Sequence, residues 1–214
     1  MPLPTLRPTA SGPDVSRLAT AFVLGYHGCD RSVGMAALHG DLRLARSEHD
    51  YDWLGPGIYF WESDPRRAME WAEARAGLGR YKEPFVVGAV IDLRNCLNLL
   101  ERENLDLLSH AHANFLDVQS AGGIELPTNR DIAGGAPGDK LLRYLDCAVI
   151  RNLHGLIAED QVVGVEPFDT VRGLFVEGGT PYEGSGFNLL THTQIAVINE
   201  DCIRGIFLPR ESSF

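Results

Sequence analysis

Residues 84–93 read PFVVGAVIDL, a run of β-branched and apolar residues with one charge near its end. Such a composition fits a pleated, fully buried surface. The run is far too short to cross a bilayer. It reads as a core strand, around which the rest of the chain must be arranged.

The flanking segments are legible by the same reasoning. Val15, Leu18, Ala19 and Phe22 in DVSRLATAF recur at helical spacing, and VLGYHG after them is a short strand. SVGMAALHGDLRLA predicts a helix ended near Gly40 and then an extended LRLA. A polar loop, RSEHDYDWLGPG, launches the strand GIYFWE. DPRRAMEWAEARAGLG carries Asp64 as N-cap, Pro65 at the first helical position and a glycine stop. Two helical patterns follow, ERENLDLLSHAHANFLDV and DKLLRYLDCAVIRNLHGL, and then three strands, TVRGLFVEG, TQIAVIN and IRGIFLP. Helices do not alternate strictly with strands, so a doubly wound parallel sheet fits poorly and an α+β fold fits well. Residues 1–13 hold four prolines and read as a flexible lead-in; 14–214 read as one domain.

Charge and cysteine content narrow the function classes. Lys and Arg total 19 against 29 Asp and Glu, a formal charge of −10. Such a surface repels bulk nucleic acid and anionic membrane, although a local basic patch can still hold one small anion. Cys29, Cys96, Cys147 and Cys202 lie far apart without CxxC pairing, so no metal is expected and a reducing, cytoplasmic setting is. His110 and His112, two apart on a helix, do not face one metal. GGAPGDK lacks the spacing of a phosphate loop.

Taken singly, the polar residues of the strands fit a plain core. His27 at the end of an apolar strand reads as a satisfied structural histidine, beside a glycine that would let a ligand approach. Tyr59 reads as core with its hydroxyl tied off.

Taken in order, YHG, a helix, GDLRLA, a loop, GPGIYF and a helix with Ala68 and Trp71 resemble the catalytic domain of the poly(ADP-ribose) polymerases. More broadly they are similar to the diphtheria-toxin-like ADP-ribosyltransferases. The resemblance covers 24–93 and 193–208; the helical stretch 101–165 has no counterpart and is read as an insert. It implies an ADP-ribosyltransferase-like fold with a split, mixed or antiparallel sheet and flanking helices. It also implies NAD as the substrate from which ADP-ribose is transferred. His27 would bond a ribose hydroxyl, the Gly28 backbone the nicotinamide amide, and Tyr59 would stack on the nicotinamide ring. Trp71 would cover the second face, although Glu70 holds the nearer register. Arg43 would approach the adenosine and pyrophosphate, with Arg31 and Asp30 in the same loop and Ala68 nearby. Cys29 stands where the family often has a serine.

The third catalytic position of the family is a glutamate, and the matching residue is Gln194. Glutamine keeps the shape but gives up the negative charge, so single transfer is implied rather than chain elongation. Glu183 in TPYEGSGF is the candidate carboxylate from outside the triad, with Glu177 behind it. The acceptor is expected to be a protein, with nucleic acid next. A toxin or modification factor of bacterial type, with an antitoxin or regulatory partner, is what the resemblance suggests. NAD hydrolysis and a catalytically weak NAD- or ADP-ribose-binding module are the alternatives.

Overall fold

A computed structural model of the chain describes residues 22–132, 138–162 and 164–210. The proline-rich lead-in, most of the first expected helix and much of GGAPGDK lie outside these residues. The fold is α+β. Its elements run β1 (Phe22–Asp30), α1 (Arg31–His39), β2 (Ile58–Glu62), α2 (Pro65–Gly77), β3 (Pro84–Asp92), β4 (Cys96–Asn98), α3 (Arg102–Gly122), α4 (Tyr144–Ala158), β5 (Thr170–Phe175), β6 (His192–Val197) and β7 (Ile203–Phe207). Among the described residues no helix is long and apolar enough to cross a membrane.

Local chemistry sets most of these boundaries. Asp30 caps α1 by accepting from the Ser32 N–H at 3.0 Å, and Gly40 closes the helix in the left-handed region. Asp64 accepts from the Arg67 N–H at 2.9 Å, with Pro65 at the first helical position as expected. Two boundaries differ from the sequence reading. Phe22, expected on a helix, begins β1. The second of the paired helices starts at Tyr144 rather than near Asp139, because its first-turn N–H groups are met by Asn129 Oδ1, 2.9 Å from the Leu145 nitrogen. LRLA after α1 is irregular rather than a strand.

The strands form one seven-stranded sheet in the order β4-β5-β6-β2-β1-β3-β7. Every pair is antiparallel except β4 with β5. PFVVGAVIDL is β3, paired along its whole length with β1 and covered on both faces. The strands make one continuous sheet rather than the split one expected, and its shortest pairing is the seam between β1 and β2. β1 and β2 share only two residue pairs, Gly25 with Glu62 and Tyr26 with Trp61.

Side chains alternate across the pleat, and the core divides accordingly. On one face Ile58, Phe60, Val87, Ile91, Ile195 and Val197 pack with Ala37 of α1. On the other, Tyr59 and Ala196 pack with Leu153, Ile150 and Phe115 of α4 and α3, while Trp61 packs with Ala68, Met69 and Trp71 of α2. The stretch read as a helical insert therefore builds half of this face. The boundary between its cluster and that of α2 crosses β2 between Tyr59 and Trp61.

Candidate functional site

Strand pairing puts the three expected catalytic residues on neighbouring strands but not on one face. His27, opposite Val87 and with its ring 5.6 Å from that of Phe60, lies on the α1 side of the sheet, and Tyr59 and Gln194 lie on the other. β1, β2 and β6 are consecutive in the sheet and carry His27, Tyr59 and Gln194. Tyr59 lies opposite Ala196 and Trp61 opposite Gln194, so Tyr59 and Gln194 share a face, offset by two residues.

His27 sits at the seam. Its Nδ1 lies 2.8 Å from the Tyr59 carbonyl oxygen. A carbonyl only accepts, so Nδ1 carries the proton and Nε2 is left with a lone pair. The imidazole thus joins β1 to β2 just beyond their last residue pair. Burial holds its pKa below the ordinary histidine value, against the opposing effect of the carbonyl bond. The ring is neutral near pH 7.

Tyr59 answers why a core strand carries a hydroxyl after a Gly-Pro-Gly turn. Its oxygen accepts from the Leu54 N–H at 3.0 Å and donates to the Gly55 carbonyl at 2.8 Å. Gly55 holds a left-handed backbone, φ 76°, and its N–H closes on Asp52 at 2.7 Å. The hydroxyl therefore pins the loop that precedes its own strand. Burial, then the Asp52 carboxylate, raise its pKa well above the tyrosine value, so the phenol stays protonated. Only the ring is available to a ligand.

Gln194 is nearly buried, and its Oε1 accepts from Trp53 Nε1 at 2.9 Å. An indole N–H can only donate, which fixes the amide's orientation. One carbonyl lone pair and the amide N–H groups remain for a ligand.

Other expected residues fall elsewhere. Gly28 is demanded by packing: a Cβ there would stand 2.3 Å from the Ala68 carbonyl oxygen, so α2 rests directly on β1. Trp71 does not face Tyr59. Its ring lies 5.7 Å from Trp61 and 5.8 Å from Tyr81, and the Arg75 guanidinium lies 4.8 Å above it. The two aromatics belong to different clusters, with Trp61 at the boundary. Arg43 is exposed and paired with Glu200 at 2.8 Å. Arg31 pairs with Glu83 at 3.1 Å and lies over the Phe85 ring. Asp30, beyond its capping role, accepts from the Ser32 hydroxyl and from the Lys82 and Glu83 N–H groups; the Ser32 hydroxyl first, and then these backbone bonds, hold its carboxyl well below the usual range. Cys29 is buried beneath Gly34, and burial pushes its thiol up to about 11.

Glu183 is exposed on its loop, whereas Glu177 is the buried carboxylate. Glu177 forms an ion pair with Arg67, whose other nitrogen bonds Glu70 at 2.7 Å. The imidazole of His192 lies against it, Nδ1 3.6 Å from Glu177 Oε1 and 2.7 Å from the Leu190 carbonyl oxygen. Burial raises the Glu177 pKa, opposed by Arg67, and lowers that of His192, opposed by the Leu190 bond. Among the described residues five side-chain atoms are buried without a hydrogen-bond partner: Trp61 Nε1, Arg67 Nε, Arg143 Nε and His192 Nε2 in this region, and His154 Nε2 on α4. Arg143 borders the group through Phe175, over whose ring its guanidinium lies 4.9 Å away.

Sequence reasoning did not single out Arg67, Trp61, Trp53 or His192. Two of them had a signal in the strand period. Trp61 is two residues past Tyr59 and His192 two before Gln194, hence on the same face. Compared with models of protein families, with curated proteins and with solved structures, the chain shows no match.

Proposed function

We propose that the protein is an NAD-dependent ADP-ribosyltransferase making a single transfer of ADP-ribose to a macromolecular acceptor, with release of nicotinamide. The reading is carried by one observation: His27, Tyr59 and Gln194, from distant parts of the chain, stand on three consecutive strands of one sheet, at a seam where β1 and β2 share two residue pairs. The same strand order supports the finer assignment of an ADP-ribosyltransferase-like fold.

The chemistry breaks the bond between nicotinamide and C1 of its ribose through a transition state resembling an oxocarbenium ion. Neutral His27, its proton held on Nδ1, offers Nε2 as acceptor to a ribose hydroxyl. The Tyr59 ring, immobilised through its hydroxyl, gives the nicotinamide a flat surface. Gln194 offers a carbonyl lone pair to the 2-hydroxyl but no charge to the developing cation. Losing one such electrostatic stabiliser costs on the order of 10²–10³ in rate. Slow single transfer is what remains. The charge of −10 weakens attraction for phosphate and favours a protein acceptor.

The test joins NAD binding to turnover. The folded protein is expected to bind NAD, measured by calorimetry. Gln194→Glu keeps the acceptor for Trp53 Nε1 and restores the charge, so nicotinamide release rises by at least tenfold at unchanged NAD affinity. Labelled NAD with a cell extract, followed by protease or nuclease digestion, identifies the acceptor class. No NAD binding, or an unchanged rate in Gln194→Glu, sinks the reading.

A further inference from the structure

The buried polar group beside Gln194 has a use that the triad does not account for. His192 and Trp61 are each 5% exposed, and each has a ring nitrogen without a partner. They differ in kind. The Leu190 carbonyl, 2.7 Å from His192 Nδ1, fixes the proton there and makes Nε2 a pure acceptor, whereas Trp61 Nε1 is a pure donor. Their ring centroids are 6.2 Å apart and the rings are tilted by 44°, so the two side chains are direct neighbours. A single oxygen that both donates and accepts satisfies both, and that describes a hydroxyl. Trp61 is the strand partner of Gln194, and His192 precedes Gln194 by two residues on the same face.

We propose that His192 Nε2 is the general base that activates a hydroxyl acceptor, with Trp61 Nε1 holding the acceptor oxygen. The proposal rests on the ADP-ribosyltransferase reading. The acceptor O–H proton passes to Nε2 as the oxygen bonds to C1 of the nicotinamide ribose. The C1–N bond breaks and its electron pair leaves with neutral nicotinamide; the imidazolium then loses its proton to solvent. This supplies the base function that a glutamine at 194 lacks.

The surroundings suit a neutral base. Glu177 stands 3.6 Å from Nδ1, compensated by Arg67. The charges of Arg67, Asp64 and Glu70 act on the ring from α2 and its cap, and Arg143 lies over Phe175, whose ring is 5.4 Å from the imidazole. Burial lowers the His192 pKa, so the lone pair is available at neutral pH and is lost as pH falls through a value below 6.5. Both nitrogens, His192 Nε2 and Trp61 Nε1, are closed to solvent, so the acceptor reaches them through a local opening that leaves the Leu190 carbonyl on Nδ1.

The experiment uses the full chain, NAD and methanol as a small hydroxyl probe, following nicotinamide and methyl ADP-ribose from pH 5 to 8. Wild type is expected to show a rising limb below pH 6.5. His192→Gln, checked for folding by thermal melt, is expected to lose about 10²-fold in transfer and the limb with it, at unchanged NAD affinity. Trp61→Phe, which removes the donor and keeps an aromatic ring, lowers the methyl product relative to NAD bound and retains the limb. Unchanged transfer and pH profile in His192→Gln overturn the proposal and leave the enzyme reading intact; a bridging water is then all that the pair holds. NAD binding without any methyl product overturns it too. Absence of NAD binding in wild type removes both.

Discussion

Two histidines of this protein are bound alike and placed differently. His27 and His192 each direct Nδ1 to a carbonyl oxygen, at 2.8 and 2.7 Å, and burial lowers the pKa of both. His27 stands where β1 and β2 stop pairing, and its ring takes over the joining of the strands. His192 lies in a strand whose backbone pairing with β5 is unbroken, so the sheet asks nothing of it. Around it Trp61, Arg67 and Arg143 also keep polar atoms without partners. A buried polar atom without a partner costs about 1–3 kcal/mol. Around His192 that cost falls on several neighbouring side chains at once, whereas His27 offsets its burial by joining two strands.

The sharpest way to break this contrast is to remove the cation that makes the His192 region tolerable. Arg67→Met leaves Glu177, 5% exposed, as an uncompensated buried carboxylate. The expected loss is about 3–5 kcal/mol in urea unfolding at pH 7, partly recovered when Glu177→Gln is added. A loss below about 1 kcal/mol would mean that the region is solvated, and the contrast with His27 disappears.

How much of each region could be read in the sequence follows from the range of the interactions that build it. Most strands and the caps of α1 and α2 are local, so alternation, Asp30, Asp64 and Pro65 announced them. β4 has three residues, too few for a period, so it was missed, and α4 takes an acceptor for its first turn from Asn129 across a loop, so its start was placed too early. The strands that carry His27 and Tyr59, and the strand of Gln194, were legible as short motifs in order. Arg67 and Glu177 are 110 residues apart and meet only because α2 and the end of β5 converge on the same face. No spacing rule reaches that far, and Glu183 in a conspicuous loop drew the attention due to Glu177. Tyr59, taken singly, was read as core with its hydroxyl tied off, and the hydroxyl is bonded four and five residues back, a local device within reach of the Gly-Pro-Gly turn.

Acid separates these histidines from ordinary ones. His154 is lowered to about 4, by burial and then by Arg46, as His27 and His192 are lowered by burial. The native state keeps these rings neutral while the unfolded chain protonates near pH 6.5. Their stabilisation is therefore complete above 6.5 and lost as pH falls, for His154 down to about 4. Between pH 7 and 5 His154 alone accounts for about 2 kcal/mol. Asp52 and Glu177, with raised pKa values, act in the opposite sense but only nearer the carboxylate range. The urea midpoint is expected to drop across this interval and to drop less in His154→Leu. A midpoint independent of pH would mean that the three rings titrate as in water.

A smaller effect is expected where a side chain only joins two strands. His27→Leu keeps the bulk and leaves the Tyr59 carbonyl without its partner, at a cost of about 1–2 kcal/mol. The loss is concentrated at the seam, because β1 remains fully paired with β3. Amide exchange is expected to quicken in 58–60 and to stay slow in 84–92. Equal acceleration in both strands would show that His27 supports the whole sheet rather than the seam.

The smallest effect on stability belongs to Arg43, and it sharpens what an unneeded polar group implies. Its side chain is 84% exposed and its one described partner, Glu200, is 42% exposed. Such a pair contributes about 0–1 kcal/mol, because water screens both charges and holding them costs entropy. Arg43→Ala is therefore expected to unfold within about 0.5 kcal/mol of wild type. If Arg43 meets the pyrophosphate of NAD, the same variant raises the NAD dissociation constant several-fold, and added salt narrows the difference. Binding that is unaffected by Arg43→Ala would leave the guanidinium as a solvated partner of Glu200. The ligand's negative charge would then have to be met by another cation, in a protein whose acidic excess makes every local cation count.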